Sequence, residues 1–362
     1  MSTPSPLSTP DPDRLKAYSL KLFGYMNGAT ISMMVHLGDR LGLYAALADA
    51  GALSSRELAL ETGLDERWVR EWLYGQGASG LLESHDGERF SLSPEGKAVL
   101  VDENHPANGI GMFSQIPDLA RSLERLPEAF RTGIGLAYDE HGADCARGIE
   151  RGLAPWFRSL FVPHALPKID GICDALRAGA QVADVGCGAG VALLEMAKAF
   201  PASRFHGYDI SLHALARAEA NRSAAGVANV SFHDARVDPL PGDHRFDFVT
   251  TFDCLHDMTD PEGAIRQIRA ALSESGTWLV ADIKARPTYA ENVEKNPMAA
   301  MMYGVSVMVC MSSSLSKKGG AGLGTLGLPA ERLERWARDA GFTRFSPIDL
   351  GHPVNAFYVV RP

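Results

Sequence analysis

Cysteine is scarce in this chain of 362 residues. The five present, Cys145, Cys173, Cys187, Cys254 and Cys310, are odd in number and widely spaced, with no CxxC and no zinc-ligand spacing. A disulfide framework and a structural metal site are therefore not expected, and a reducing compartment is. Positive charge is also short: 35 Lys+Arg stand against 44 Asp+Glu, a net charge of −9. Residues 1–160 carry 15 basic and 22 acidic side chains, and residues 161–362 carry 20 and 22, so neither half offers the dense basic face that nucleic acid requires. Long apolar runs are missing as well. The most apolar stretch, Ala299 to Met311, falls short of the ~20 residues of a membrane helix. The N-terminal MSTPSPLSTPDPDR is Pro/Ser/Thr-rich and acidic, unlike a signal or transit peptide, and reads as a mobile tail over residues 1–14. The expectation is a soluble, cytoplasmic protein without membrane contact.

What is present suffices for ordinary cores: 46% of the residues are hydrophobic and 22% charged, and the length suits two domains. From Leu15 to Leu47 apolar residues recur at helical spacing, and Met26, Ile31, Met33, Met34, Val35 and Leu37 are too many for one stripe. Helices of that kind bury against another subunit or domain. Ser54 to Ala59, the Gly-bearing turn Thr62 to Asp65, and Arg67 to Leu73 form a helix-turn-helix pattern. Leu82 to Ser84 and Arg89 to Leu92 flank His85-Asp86-Gly87, a hairpin with an Asp-Gly turn. Residues 15–103 thus read as a winged helix. Residues 104–178 read as a helical connector, broken into short helices by Pro106, Pro117, Pro127, Pro155, Pro163 and Pro167.

The pattern changes at residue 179. Val182–Val185, Arg204–Tyr208, Val230–Phe232, Phe246–Thr251 and Thr277–Ala281 alternate with helical segments, the signature of a parallel α/β sheet. Arg344–Leu350 and Ala356–Val360 have no helix between them and predict an antiparallel hairpin at the sheet edge. The first strand runs into Gly186-Cys187-Gly188-Ala189-Gly190 and then a helix, which lets a ligand approach the backbone at a helix N-terminus. The glycine spacing is GxGxG, with Val191 where a dinucleotide fingerprint needs its third glycine, so a nicotinamide cofactor is disfavoured. The next strand ends on Asp209, placed to hydrogen-bond the hydroxyls of a ribose, and the third on Asp234 and Ala235, placed to receive an adenine.

These motifs, DVGCGAG, GYDIS, HDA and FDFVTTFD in order, resemble the core of class I S-adenosylmethionine-dependent methyltransferases. With the N-terminal region, the chain resembles the winged-helix small-molecule O-methyltransferases, and most closely a bacterial subgroup with YGVSVMVCM and GAGLGT segments. The resemblance implies a Rossmann-like sheet in residues 179–362, with a substrate-side insertion at 284–326. It also implies S-adenosylmethionine as cofactor, S-adenosylhomocysteine as product, and no metal. Carried over residue by residue, Asp184, Gly186, Cys187, Gly188 and Gly190 surround the methionine end, Asp209 and Ile210 the ribose, and Asp234 and Ala235 the adenine.

Methyl transfer to a hydroxyl needs an aligned acceptor, exclusion of water and a base. His256, in a segment similar to the Leu/Cys-His-Asp-Trp of the plant-type enzymes with Met258 in place of Trp, is the candidate base. Asp253, which also borders the cofactor, or Asp257 would orient it; a helix-capping role for His256 is the alternative. Met298, Met302, Tyr303 and Met308 of the insertion either roof an apolar acceptor pocket or belong to core or dimer contacts. Tyr138 and His141 read as exposed linker or as a closure of the cofactor site, and Lys317 to Thr325 as a mobile lid or loop. Cys187 and Cys254 end neighbouring strands, which raises arsenic-type thiol chemistry but supplies no third cysteine. In the O-methyltransferases the winged helix pairs subunits, so a homodimer is expected. The rival functions are an S-adenosylmethionine-binding transcriptional regulator and a homologue that binds the cofactor without transferring its methyl group.

Overall fold

The computed structural model describes residues 9–362, which fall into two compact units, one reaching Asp102 and one beginning at Glu103. The expected N-terminal tail lies outside the described residues up to residue 8; its last residues are helical. Asp11 accepts from Arg14 N at 2.8 Å and Pro12 occupies the first turn, so helix α1 runs Pro12–Arg40. Helix α2 (Leu43–Ala50) and strand β1 (Leu53–Ser54) follow. Helix α3 (Ser55–Thr62) starts with a capping box between Ser54 and Glu57, and helix α4 (Glu66–Ala78) is capped by Asp65. Strands β2 (Glu83–Ser84) and β3 (Arg89–Ser91) form the wing, with Gly87 at φ +80° in the turn and the sheet order β1-β3-β2. Helix α5 (Pro94–Leu100) completes the unit. Its core centres on Trp72, whose ring lies edge-on to Tyr44 at 5.1 Å and whose Nε1 donates to Met34 O. Gly38 is obligatory there, because a Cβ would stand 2.4 Å from the Trp72 ring. Most of α1 before Val35 packs on nothing in its own unit: Tyr18, Phe23, Tyr25 and Met26 are all exposed.

In the second unit, helices α6 (Ile116–Thr132) and α7 (Ala143–Trp156) correct the expectation that proline divides this region into short helices. Pro127 lies inside α6 and Pro155 inside α7, which continues into wider, π-type turns at Phe157–Ala165. An interior proline costs about 3 kcal/mol. Burial of Leu126 on α6 and of Cys145, Ala146, Ala154 and Trp156 on α7 offsets that penalty through packing that local propensity does not register. Helix α8 (Ile172–Ala178) leads to β4 (Gln181–Val185), α9 (Val191–Ala199), β5 (Arg204–Asp209), α10 (Leu212–Ala225), β6 (Val230–Asp234), β7 (Phe246–Phe252), α11 (Pro261–Ala271) and β8 (Leu272–Ile283). Three short helices, α12 (Tyr289–Lys295), α13 (Ala299–Met308) and α14 (Cys310–Ser314), precede α15 (Ala330–Asp339), β9 (Arg344–Ile348) and β10 (Asn355–Arg361).

The seven strands lie in the order β6-β5-β4-β7-β8-β10-β9, parallel except for β10, which runs antiparallel to both of its neighbours. This is the parallel sheet with an antiparallel edge hairpin that the sequence indicates. Alternation divides the side chains between two cores: Val182, Phe205, Phe248, Leu279 and Phe357 face one, and Ala183, Val249, Trp278, Val280 and Tyr358 the other. The strand order reverses between β4 and β7, so the crevice at the carboxyl ends of β4 and β5 is where a ligand of such a sheet binds. No helix among the described residues is long and apolar enough to cross a membrane.

Candidate active site

The turn after β4 is shaped by three glycines in the left-handed region, Gly186, Gly188 and Gly190, at φ +72°, +54° and +74°. Two of them are also sterically required. A Cβ on Gly186 would lie 2.6 Å from Cys254 Cβ, and one on Gly190 2.4 Å from Phe232 Cζ. Nothing lies within 4 Å of where a Gly188 Cβ would stand, so the loop backbone is open to a ligand there. Gly186 N and Cys187 N both donate to Tyr208 O, at 2.8 and 3.2 Å, and bind the loop to the end of β5.

Asp209 completes that link. Its Oδ2 accepts from Gly188 N and its Oδ1 from Ser211 N, both at 2.8 Å. Burial raises its pKa, while these backbone donors favour the ionised form. Asp184, one strand over, accepts from Thr250 Oγ1 at 2.7 Å, and burial pushes its pKa up to about 7. The backbone register pairs Val185 with Tyr208 and Asp209 with Asp234, bringing the ends of β4, β5 and β6 together. Ile210 stands exposed beside them. Asp234 and Ala235 are more occupied than the sequence suggests: Asp234 is clamped by Arg236, and Ala235 N donates to Asp209 O.

After β7, Asp253 adopts a left-handed backbone at φ +51°, its amide donating to Ala281 O and its carboxylate accepting from Asn355. Its pKa is pushed up to about 7, first by burial and then by the charge of Asp282. His256 is buried, and its Nδ1 lies 2.7 Å from Asp282 Oδ1 at the end of β8. This corrects the expected orienting partners: the imidazole is held by Asp282, and neither Asp253 nor Asp257 hydrogen-bonds it. A sequence reading that ends the strand at Ala281 stops one residue short of that acid. Because the carboxylate can only accept, Nδ1 carries the proton and Nε2 is left as the basic nitrogen. Burial pulls the His256 pKa down, but the charge and hydrogen bond of Asp282, together with Cys310, outweigh it and hold the imidazole well above its ordinary range. Asp257 is pushed up to about 7 by burial. Asp282 Oδ2 is buried without a partner among the described residues.

The segment before α7 covers this region and is not exposed linker. Gly135 N donates to Leu315 O, Leu136 N to Ser312 Oγ, and buried His141 lies 2.9 Å from Ser313 Oγ. Asp139 accepts from Ser211 Oγ at 2.8 Å, directly beside Asp209. Half-buried Tyr138 between them sets its ring edge-on to His141 at 6.1 Å, and its pKa is raised by burial. The glycine-rich loop is likewise tied down, correcting its reading as a mobile element: Ala321 N donates to Thr259 O, Gly322 N to Ser314 Oγ, and Thr325 N to Ser306 Oγ.

The four residues of the expected apolar pocket separate. Met302 and half-buried Tyr303 pack with Ala299 and Leu326, Met308 packs with Cys145, Val309 and Cys310, and Met298 is exposed. Cys187 and Cys254 are protonated thiols turned onto backbone. Cys254 Sγ donates to Val185 O, and burial holds both well above the usual thiol range. No group of residues able to hold a metal occurs among the described residues.

A family model described as a methyltransferase domain matches residues 176–336, and one described as an Rv2258c-like winged HTH domain matches residues 29–102. A ubiquinone biosynthesis O-methyltransferase of Neisseria meningitidis is 29% identical over 127 residues, 34% of this chain and 52% of that protein. The chain thus spans about half the length of the curated relatives it matches. Among solved structures, human N-acetylserotonin methyltransferase in complex with S-adenosylmethionine is 19% identical, with a TM-score of 0.69 over 98% of this chain and 99% of that one. Mitomycin 7-O-methyltransferase is 18% identical, with a TM-score of 0.66 over 97% and 100%. These likenesses establish the fold: a class I methyltransferase sheet that follows a winged-helix region in the chain.

The loop geometry predicts unequal effects of two similar substitutions. Gly190→Ala should destabilise the protein by about 2–5 kcal/mol, combining left-handed strain with overpacking against Phe232, and Gly188→Ala by only about 1–2 kcal/mol. Urea denaturation followed by circular dichroism measures both, and equal losses would contradict the packing argument.

Proposed function

From a chain that carries a methyltransferase domain behind a winged helix-turn-helix domain, we propose an S-adenosylmethionine-dependent O-methyltransferase acting on a small apolar or aromatic acceptor. The observation that carries this reading is Asp209, held by the amides of Gly188 and Ser211, beside the open backbone at Gly188. A ribose can bridge such a carboxylate while the amino-acid end of the cofactor crosses the glycine turn. Ile210 offers an apolar face to the base. When bound, S-adenosylmethionine supplies an electrophilic methyl group on a sulfonium, and S-adenosylhomocysteine is released.

The protein then has to hold a hydroxyl in line with that methyl, exclude water and accept the proton. His256 Nε2 is the assigned base. Asp282 holds the ring through Nδ1 and stabilises the imidazolium that forms. With the cofactor bound, His256 would take the hydroxyl proton as the methyl group is transferred to the acceptor oxygen. Helix α14 lies against this loop, with Ser314 Oγ donating to Met258 O, so the apolar residues of α13 and α14 border the acceptor space. On this reading Met308 approaches the base beside Cys310, while Met302 and Tyr303 shape the outer wall.

The DNA-binding alternative is disfavoured by α4. Arg67 is paired with Glu71 at 2.6 Å and Arg70 with Glu66 at 2.7 Å, leaving that helix little charge for phosphate. The exposed apolar length of α1 supports a homodimer instead. Five unbridged cysteines suit the reducing cytoplasm.

Two measurements test the proposal. Because Asp282 raises the His256 pKa, the basic form grows only as pH climbs through that raised value. kcat/KM on an identified acceptor should therefore rise with pH to a midpoint above about 6.5. Asp282→Asn should move the midpoint down, and His256→Ala should lower kcat by about 10²–10⁴; a profile indifferent to both would remove His256 as base. Light scattering should return twice the 38.9 kDa of one chain, and a single-chain mass would refute the dimer.

A further inference from the structure

A cavity of about 210 Å³, lined by none of the site residues above, lies between α7, α10 and the stretch from Glu103 to Asn108. A single water needs only about 10–15 Å³, so this is room for a ligand. Arg147, Glu150, Arg151, Ala154 and Arg158 recur three and four residues apart, so α7 and its continuation turn one charged face to it, with Arg217 of α10 opposite. Four guanidinium groups meet two carboxylates in a chain whose net charge is −9. Glu103 lies 3.2 Å from Arg151 and 3.9 Å from Arg158, and buried Glu150 is bound by Arg217. Arg147, exposed on the rim, has no carboxylate partner among the described residues. Asn108 lines the same cavity at 8% exposure, and its side-chain Nδ2 lacks an acceptor among the described residues.

An excess of two positive charges, arginine forks fixed by neighbouring carboxylates, and a buried amide without an acceptor call for the same ligand: a compact anion with several oxygens. We propose that this cavity is a binding site for a small polyanion of phosphate chemistry, separate from the methyl-transfer site. It is also connected to that site. Asn221 Nδ2 donates both to Glu150 Oε1, at 2.8 Å, and to Ala189 O in the glycine loop, at 3.1 Å. An anion competing for Arg217 therefore alters the Glu150–Asn221 support of the loop, and the polyanion and the cofactor change each other's affinity. This coupling, unlike the site itself, rests on the cofactor reading above.

The test is calorimetric titration of the full chain with inorganic pyrophosphate in the absence of cofactor, at physiological ionic strength. Saturable binding is expected, weakened about tenfold or more in Arg147→Gln through loss of charge-assisted hydrogen bonds, and unchanged in Arg131→Gln at an exposed position of α6. Arg147 is exposed and unpaired, so its replacement leaves the fold intact; Asn108→Ala offers a second, independent loss of binding. No saturable heat in the wild type, or equal binding by Arg147→Gln, overturns the site. Tighter binding of citrate than of pyrophosphate overturns the phosphate assignment. A several-fold shift in S-adenosylhomocysteine affinity on adding pyrophosphate, abolished in Asn221→Ala, supports the coupling, and its absence in a wild type that binds both ligands overturns the coupling alone.

Discussion

A buried carboxylate held by backbone amides is the constraint around which the second unit is organised. Asp209 sits at the end of β5 and is fixed by the amides of Gly188 and Ser211. Each charge-assisted hydrogen bond of this kind contributes about 1.5–3 kcal/mol. Together they favour the ionised form against the desolvation that raises the carboxyl pKa. The acid and the glycine turn are interdependent: the turn supplies a donor only because Gly188 can adopt a left-handed backbone, and the acid holds that backbone in place. Ser211, which caps α10, also donates to Asp139, so the segment that covers the site is anchored to the same strand end.

The second buried arrangement, His256 with Asp282, has a different logic. Removing both groups from water is costly, and Asp282 Oδ1 also accepts from Ile283 N, while Oδ2 lacks a partner among the described residues. His256 is also hydrogen-bonded by Cys310, so the ring is held from α14 as well as from β8, and the proposed base role is what the unsatisfied acceptor beside it supports. Asp253, strained into a left-handed conformation and held by Asn355 of β10, borders it. The antiparallel strand β10, one in from the sheet edge, thus contributes to the candidate site.

Much of this is legible in the sequence because the signals are local. The GxGxG spacing, the acid ending the second strand and the alternation of strands with helices all act within a few residues of the backbone they shape. Ser54 with Glu57, and Asp65, mark helix starts for the same reason. What escapes such reading is long-range. Asp282 is 26 residues from His256, and His141 is 172 residues from Ser313. The prolines of α6 and α7 mislead because packing outweighs their local cost. Asp234 and Ala235 are found at the expected strand end, but their engagement by Arg236 and by the Asp209 carbonyl depends on atoms that spacing does not specify. The apolar residues of α13 divide between two clusters because that helix is short and hydrophobic on every side, so no stripe fixes which face is buried.

The central claim is that Asp209 and the glycine turn form a nucleoside site for S-adenosylmethionine. Calorimetric titration with S-adenosylhomocysteine, with NADH as the competing cofactor, tests it most directly. The account predicts micromolar binding of S-adenosylhomocysteine and none of NADH, with a loss of roughly 3–6 kcal/mol of affinity in Asp209→Ala from two charge-assisted hydrogen bonds to the ribose. Binding of NADH in its place, or unchanged S-adenosylhomocysteine affinity in Asp209→Ala, would contradict it.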